Sequence, residues 1–223
     1  MVYLVINKEY INKIYTEYEP EIEMISFNNK EDAEKYINNR NIKVMKVFTD
    51  GACSNNGKIN AIAGIGIYLG ENDKRNISKI INGKQTNNTA ELCAVIEVFD
   101  ILKEEIKDNR EIIIYSDSQY VINCCGNFGQ ESEKNEWKTK KGDYIPNYEL
   151  VKNIYELFKN NKYVKIEYIK AHTNNNDELS IGNNEADKLA KLAVKKQKKN
   201  IRMNTKIEKI SMTISNKKYE KNI

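Results

Sequence analysis

Histidine and tryptophan occur once each in these 223 residues, as His172 and Trp137, and proline only twice. The four cysteines, at 53, 93, 124 and 125, offer no Cys-x-x-Cys pair. The adjacent Cys124-Cys125 is a poor spacing for zinc, so the thiols read as reduced and structural. Only Cys53 has a second reading, because it follows an acidic turn. No run of about 18 apolar residues exists, which excludes a membrane-spanning helix. Met1-Val2-Tyr3-Leu4-Val5 lacks the basic flank and cleavage site of a secretory leader. The expectation is an intracellular, cytoplasmic protein (nuclear or organellar in a eukaryote), with no membrane partner.

The net charge of +4 is unevenly spread. Residues 195–223 hold ten Lys or Arg against two Glu, which leaves the body mildly acidic. Lys195-Lys196-Gln197-Lys198-Lys199 is able to meet phosphate without sequence preference, or to be a solvated helix end before a loose terminus. At 40% hydrophobic content the chain can build a core, and its length fits one domain of about 150 residues with a smaller appendage.

Residues 1–41 read as a separate small αβ unit, with a strand at Tyr3-Leu4-Val5-Ile6, an acidic stretch at 17–21 and a helix at 29–37. A polar linker follows at 38–41. From residue 43 the pattern alternates as strands do, over 44–49, 62–69 and 77–81, which suggests an antiparallel meander. Leu92, Val95, Ile96, Phe99 and Leu102 then recur at helical spacing. Further on come a short buried strand at 112–115, a helix from Tyr120, a helix at 149–158, a strand at 164–169 and a last helix from Glu185 to about Lys196. This order predicts an α/β (α+β) fold, a five-stranded mixed sheet with helices against it.

Four carboxylates carry the chemistry. Asp50 ends an apolar strand before a turn, in Val47-Phe48-Thr49-Asp50-Gly51-Ala52-Cys53, and Asp117 repeats the pattern in Ile114-Tyr115-Ser116-Asp117-Ser118. Glu91 and Asp187 lie early in amphipathic helices. Each acid alone is readily explained as a turn or helix-start residue. Together, carboxylates at the ends of two paired strands and on two crossing helices would raise one another's pKa unless a cation intervened. Hard oxygen ligands suit Mg²⁺ or Mn²⁺, and a pair of such ions about 4 Å apart supports hydrolysis of a phosphodiester.

Residues 45–195 resemble type 1 ribonuclease H, through Thr49-Asp50-Gly51, Gln85-Thr86-Asn87-Asn88-Thr89-Ala90-Glu91, Tyr115-Ser116-Asp117-Ser118, Trp137-Lys138-Thr139, and His172 followed by Gly182-Asn183-Asn184-Glu185-Ala186-Asp187. The resemblance implies the ribonuclease H-like fold and a catalytic domain over 42–195, before a basic tail at 196–223. It implies two Mg²⁺ ions, replaceable by Mn²⁺, on Asp50, Glu91, Asp117 and Asp187, with His172 assisting proton transfer or product departure. The substrate implied is an RNA/DNA hybrid, whose RNA strand is hydrolysed by a monomer without a small-molecule cofactor. Cys53, Asn55, Asn56, Asn87, Asn88 and Glu91 would line the minor groove of that hybrid. Lys84, Thr86 and Asn147 would grip a DNA phosphate, and Phe128 would pack on a DNA sugar. Residues 1–41 are similar to a degenerate hybrid-binding domain.

Two departures stand out. The loop after His172 is longer than in the family, with Thr173-Asn174-Asn175-Asn176-Asp177-Glu178 intervening, and the protrusion at 126–137 carries an acidic Gln130-Glu131-Ser132-Glu133. Proofreading exonucleases and integrases share the general sheet. The former typically bear a second acid two residues after the first, where Ala52 stands here. A non-catalytic hybrid binder would be expected to lack at least one of the four carboxylates.

Overall fold

A computed structural model describes residues 3–6, 9–11, 24–32, 44–171 and 177–220. The expected acidic stretch at 17–21, most of the helix at 29–37, the linker at 38–41 and His172 lie outside the described residues. Near the N-terminus, β1 (Tyr3–Ile6) pairs antiparallel with both β2 (Glu9–Ile11) and β3 (Met24–Phe27).

The larger sheet has the predicted five strands, in the order β6-β5-β4-β7-β8. Here β4 is Met45–Ser54, β5 Ile62–Tyr68, β6 Ile77–Ile80, β7 Ile112–Ser116 and β8 Val164–Tyr168. β4, β5 and β6 form the antiparallel meander, while β7 and β8 join parallel to β4. The central strands are rich in apolar residues buried on both faces, as a sheet covered on two sides requires.

Helices cover both faces. α1 (Asn87–Ile101) and α2 (Lys103–Lys107) follow β6, α3 (Gln119–Cys125) and α4 (Asn127–Lys134) follow β7, and α5 (Tyr148–Asn160) precedes β8. α1 packs on β4 and β5 and α5 packs on α1, enclosing the main core of Val47, Ile65, Ile67, Leu92, Val95, Val98, Ile114 and Ile154. On the opposite face α6 (Glu178–Glu220) lies along β5 and β4 over a smaller cluster of Phe48, Tyr115, Ile169 and Ala186. Trp137 is buried edge-to-face on Tyr155, with ring centroids 5.9 Å apart.

Two expectations need correction. Asp50 does not end its strand: β4 runs on to Ser54 because β5 keeps pairing with it, Asp50 opposite Gly66 and Ser54 opposite Ile62. The last helix starts at Glu178, where Asp177 receives the Ser180 N–H at 2.9 Å, and continues to Glu220 through the stretch expected to be a loose terminus. Lys, Arg, Glu and Met there are good helix formers, and neither Pro nor Gly interrupts them after Gly182.

The start of α1 sets the aim of Glu91. Thr86 caps it through a reciprocal box: its hydroxyl accepts from Thr89 N–H at 3.2 Å, and the Thr89 hydroxyl accepts from Thr86 N–H at 3.0 Å. Thr89 thus fills the place usually taken by Glu or Gln. Thr86→Ala should lower stability by about 1 kcal/mol in a urea titration. An unchanged midpoint would show that tertiary packing alone fixes this helix end.

Candidate active site

Parallel pairing of β4 with β7 places Thr49 beside Ser116, so Asp50 and Asp117, one residue further along each strand path, emerge side by side. Period-two alternation then divides β4: Val47 enters the α1 core, whereas Phe48 enters the α6 cluster and Asp50 shares its face. The Phe48 and Tyr115 rings stack at 5.2 Å beneath the acids. Helices from the two faces bring the remaining carboxylates. A Cβ on Gly51 would lie 2.5 Å from the Glu91 nitrogen, so only glycine lets α1 come this near. Gly66 does the same for α6, at Ala186 and Ala190.

Asp50, Glu91 and Asp117 each offer a carboxylate oxygen within 4.8 Å of the others. Asp187 lies near enough for its charge to bear on Asp50, and it lines the same cleft, whose volume is about 810 Å³. Asp50 and Glu91 are almost fully buried, and Glu91 Oε2 has no hydrogen-bond partner. Burial first, then the negative fields of Asp117 and Asp187, push Asp50 up to about 7. Burial and the charges of Asp50 and Asp117 hold Glu91 well above the usual carboxylate range. The Asp187 carboxylate is held by Lys191 at 2.7 Å, one helical turn away.

Crowded acids with an orphaned oxygen are an arrangement that a divalent cation relieves, because its charge reverses the repulsion. The donor set of carboxylate oxygens therefore fits a hard cation. The site can hold metal.

Cys53 and Asn87 line this cleft. Asn56 Oδ1 accepts from the Asn87 N–H at 3.3 Å, whereas Asn55 and Asn88 are set apart by other features: Asn55 is exposed on a left-handed turn, and Asn88 follows Asn87 in the first turn of α1. Lys84 and Asn147 meet elsewhere, Nζ to Oδ1 at 3.4 Å, and Asn147 also donates to the Tyr120 hydroxyl at 3.1 Å. Thr86 sits two residues from Lys84, with its hydroxyl committed to the helix cap. Phe128, 39% exposed, lies on a separate hollow of the protrusion with Lys138 and Lys140.

Asn183 is a site residue that the sequence does not single out. It is buried and donates Nδ2 to Asp117 Oδ2 at 3.0 Å, fixing the rotamer of that acid. Its position four residues before Asp187, on the same face of one helix, is the available signal. All four cysteines are free. No described helix is long and apolar enough to cross a membrane.

A mixed five-stranded sheet flanked by helices, with carboxylates gathered from two adjacent strands and two helices, defines an α/β domain with an acidic, metal-fitting site. The RNase H family pattern matches residues 42–195, and the chain belongs to that family. It is 39% identical over 156 residues to a ribonuclease H of Clostridium botulinum, covering 69% of this chain and 97% of that one. It is 34% identical over 149 residues to ribonuclease H1 of Mus musculus, covering 67% of this chain. A ribonuclease H of Schizosaccharomyces pombe is 33% identical over 173 residues, or 74% of this chain. The match spans 50% of the mouse relative and 61% of the yeast one.

Solved structures agree in fold. The RNase H domain of PFV superposes with a TM-score of 0.51 at 24% identity, over 67% of this chain and 93% of that one. The foamy viral protease-reverse transcriptase in complex with RNA/DNA hybrid gives 0.53 at 21% identity, over 68% of this chain and 20% of that one.

Proposed function

We propose that this protein hydrolyses the RNA strand of RNA/DNA hybrids endonucleolytically, leaving 5′-phosphate and 3′-hydroxyl ends. The observation that carries the reading is the triad of Asp50, Glu91 and Asp117 within 4.8 Å, with Asp187 on the same cleft. The relatives named ribonuclease H and the neighbour solved with a hybrid support the substrate class.

Asp50, Glu91, Asp117 and Asp187 would hold two Mg²⁺ ions, or Mn²⁺ in their place. Bound there, the ions would supply a water made acidic enough to attack phosphorus and a positive charge for the departing oxygen. In-line attack opposite the 3′-oxygen accounts for the two end groups. The chain's own residues do the positioning. Asn183 fixes Asp117, and Lys191 orients Asp187. His172 is assigned the handling of the departing proton or product.

Substrate selection falls to two surfaces. Cys53, Asn55, Asn56, Asn87 and Asn88 are assigned the minor groove, where only the RNA strand presents 2′-hydroxyls. Lys84, Thr86 and Asn147 are assigned a DNA phosphate, with Lys84 acting as a point charge. Phe128 is assigned a DNA sugar. Residues 1–41 are assigned to a small hybrid-binding-like unit and 42–195 to the catalytic domain. Removal of replication primers and of transcription-derived hybrids are the cellular roles that fit this chemistry.

The test is cleavage of an end-labelled hybrid in Mg²⁺, beside single-stranded RNA, duplex RNA and duplex DNA, with an EDTA control. Cutting confined to the hybrid's RNA, and lost in EDTA, is expected. Asp117→Asn should reduce that rate by more than about 100-fold, the scale at which even an outer partner of a metal ligand acts. DNA cutting would instead indicate an exonuclease or integrase relative, and full activity of the Asn variant would overturn the metal assignment.

A further inference from the structure

α6 does not stop where the domain does. Beyond Asp187 it carries Lys191, Val194, Lys195, Lys198, Lys199 and Arg202 along the wall of the cleft that contains the four carboxylates. The steps 187, 191, 194/195, 198 and 202 are three or four residues, which is one face of a helix. At 1.5 Å per residue, Arg202 stands about 22 Å along the axis from Asp187. That reach matches about six base pairs of duplex at 3.4 Å each.

Among the described residues, these cations differ in how they are engaged. Lys191 belongs to the site through its 2.7 Å pair with Asp187. No described carboxylate pairs with Lys195, Lys198, Lys199 or Arg202, although all line an acidic cleft. The protrusion has part of its positive charge compensated. There Lys134 pairs with Glu131 and Lys138 with Glu136, and Lys159 of the neighbouring α5 pairs with Glu133. Among the described residues, the unpaired cations that share the cleft with the acids are thus Lys195, Lys198, Lys199 and Arg202 of α6.

We infer that Lys195, Lys198, Lys199 and Arg202 form a phosphate track that holds the backbone of the nucleic acid several base pairs from the cutting site. The inference rests on the proposed hybrid substrate and adds to it a second anchoring surface. A rigid helix suits this role, because it presents several charges at fixed spacing without ordering a loop on binding. The track also keeps phosphate at the cleft despite the repulsion that four carboxylates would exert. It carries no base-reading groups, so it acts on affinity and not on sequence choice.

The experiment compares the wild type with a variant bearing Lys195→Gln, Lys198→Gln, Lys199→Gln and Arg202→Gln. Gln keeps helix propensity, so α6 is preserved. Binding of a hybrid of about 24 base pairs, four times the reach of the track, is measured in EDTA from low to moderate salt. The slope of log affinity against log salt should flatten by about 2 to 4, at about 0.9 per phosphate contact. In Mg²⁺, KM should rise at least about tenfold while kcat stays within about twofold, the mark of lost uniform binding. Arg at the three lysine positions, with Arg202 retained, should restore the slope. An unchanged slope and KM in the Gln variant would overturn the track, as would failure of the Arg variant to recover. Because the slope is read without turnover, absence of hybrid cleavage in the wild type would count against the proposed activity alone.

Discussion

Asp50→Asn is expected to abolish hybrid cleavage and, in the same protein, to raise the melting temperature measured in EDTA about one unit above the folded pKa of that acid. The two effects have one cause. Asp50 is buried beside Glu91, Asp117 and Asp187, and its pKa is pushed from 3.8 up to about 7, by burial first and then by Asp117 and Asp187. Above that value the carboxylate is charged in both folded and unfolded chains, and the folded chain bears the whole cost of holding that charge. Asn keeps the shape and removes the charge. The gain is bounded at about 4 kcal/mol by the size of the shift, and screening and relaxation reduce it. The sign follows from the raised folded pKa. The advantage of the variant is complete above about 7 and shrinks as pH falls toward 3.8, where the wild-type acid is itself protonated in the folded state and increasingly so in the unfolded one.

Metal makes the prediction two-sided. Adding Mg²⁺ should raise the melting temperature of the wild type, because a ligand that binds only the folded state stabilises it by mass action. The variant, short of one ligand charge, should gain less. Thermal denaturation with EDTA or with Mg²⁺ reads both arms. A variant that melts no higher than the wild type in EDTA, yet gains equally from Mg²⁺, would refute the account of Asp50 as a strained metal ligand.

The elements legible in the sequence are those whose burial writes a period into the chain. β4 to β8 and α1 each set apolar residues at strand or helix spacing, and apart from the longer C-terminal end of β4 each lies within a few residues of its expected place. Asp117 is legible because β7 ends immediately before it. Asp50-Gly51 carries a turn signal that proves to mean something else. Gly51 is glycine so that the Glu91 backbone can come close, and the strand passes straight through it. The glycine is visible, but its reason lies in a helix about forty residues away.

The long α6 is illegible for the opposite reason. Past Val194 the helix leaves the body, so no core face marks its residues, and a helix without a buried stripe looks like a polar tail. α4 is hidden likewise, because Gly129 and Ser132 are its only buried residues and neither is apolar in the usual sense. Asn183 stands within a recognisable motif, yet its grip on Asp117 depends on how α6 crosses β4 and β7, which no local pattern records.

Gly66→Ala is the packing counterpart of the Asp50 result, and its effect should be as large with the opposite sign. β5 faces α6 through Gly64 and Gly66, and a Cβ at Gly66 would press on the Ala186 carbonyl oxygen and lie 2.6 Å from the Ala190 nitrogen. Both are helix backbone, so no side chain can swing away to make room. Either α6 lifts or β5 shifts, and Ala186 loses its contact with Phe48 and Tyr115. Overpacking of this kind costs about 1–3 kcal/mol, with more expected where rigid backbone is the obstacle. Asp187 follows Ala186 directly and moves with it, so its place beside Asp50 is lost even in molecules that remain folded. A displacement near 1 Å at a reacting centre is worth about 100-fold in rate. The variant should therefore melt below the wild type and, at a temperature where circular dichroism shows it folded, cut hybrid about 100-fold more slowly. Gly57→Ala is the matched control, since nothing lies within 4 Å of its Cβ and only its φ of +78° is disfavoured. Equal melting and equal cleavage for Gly66→Ala and Gly57→Ala would mean that α6 floats over the sheet, and that contact with β5 does not set the position of Asp187.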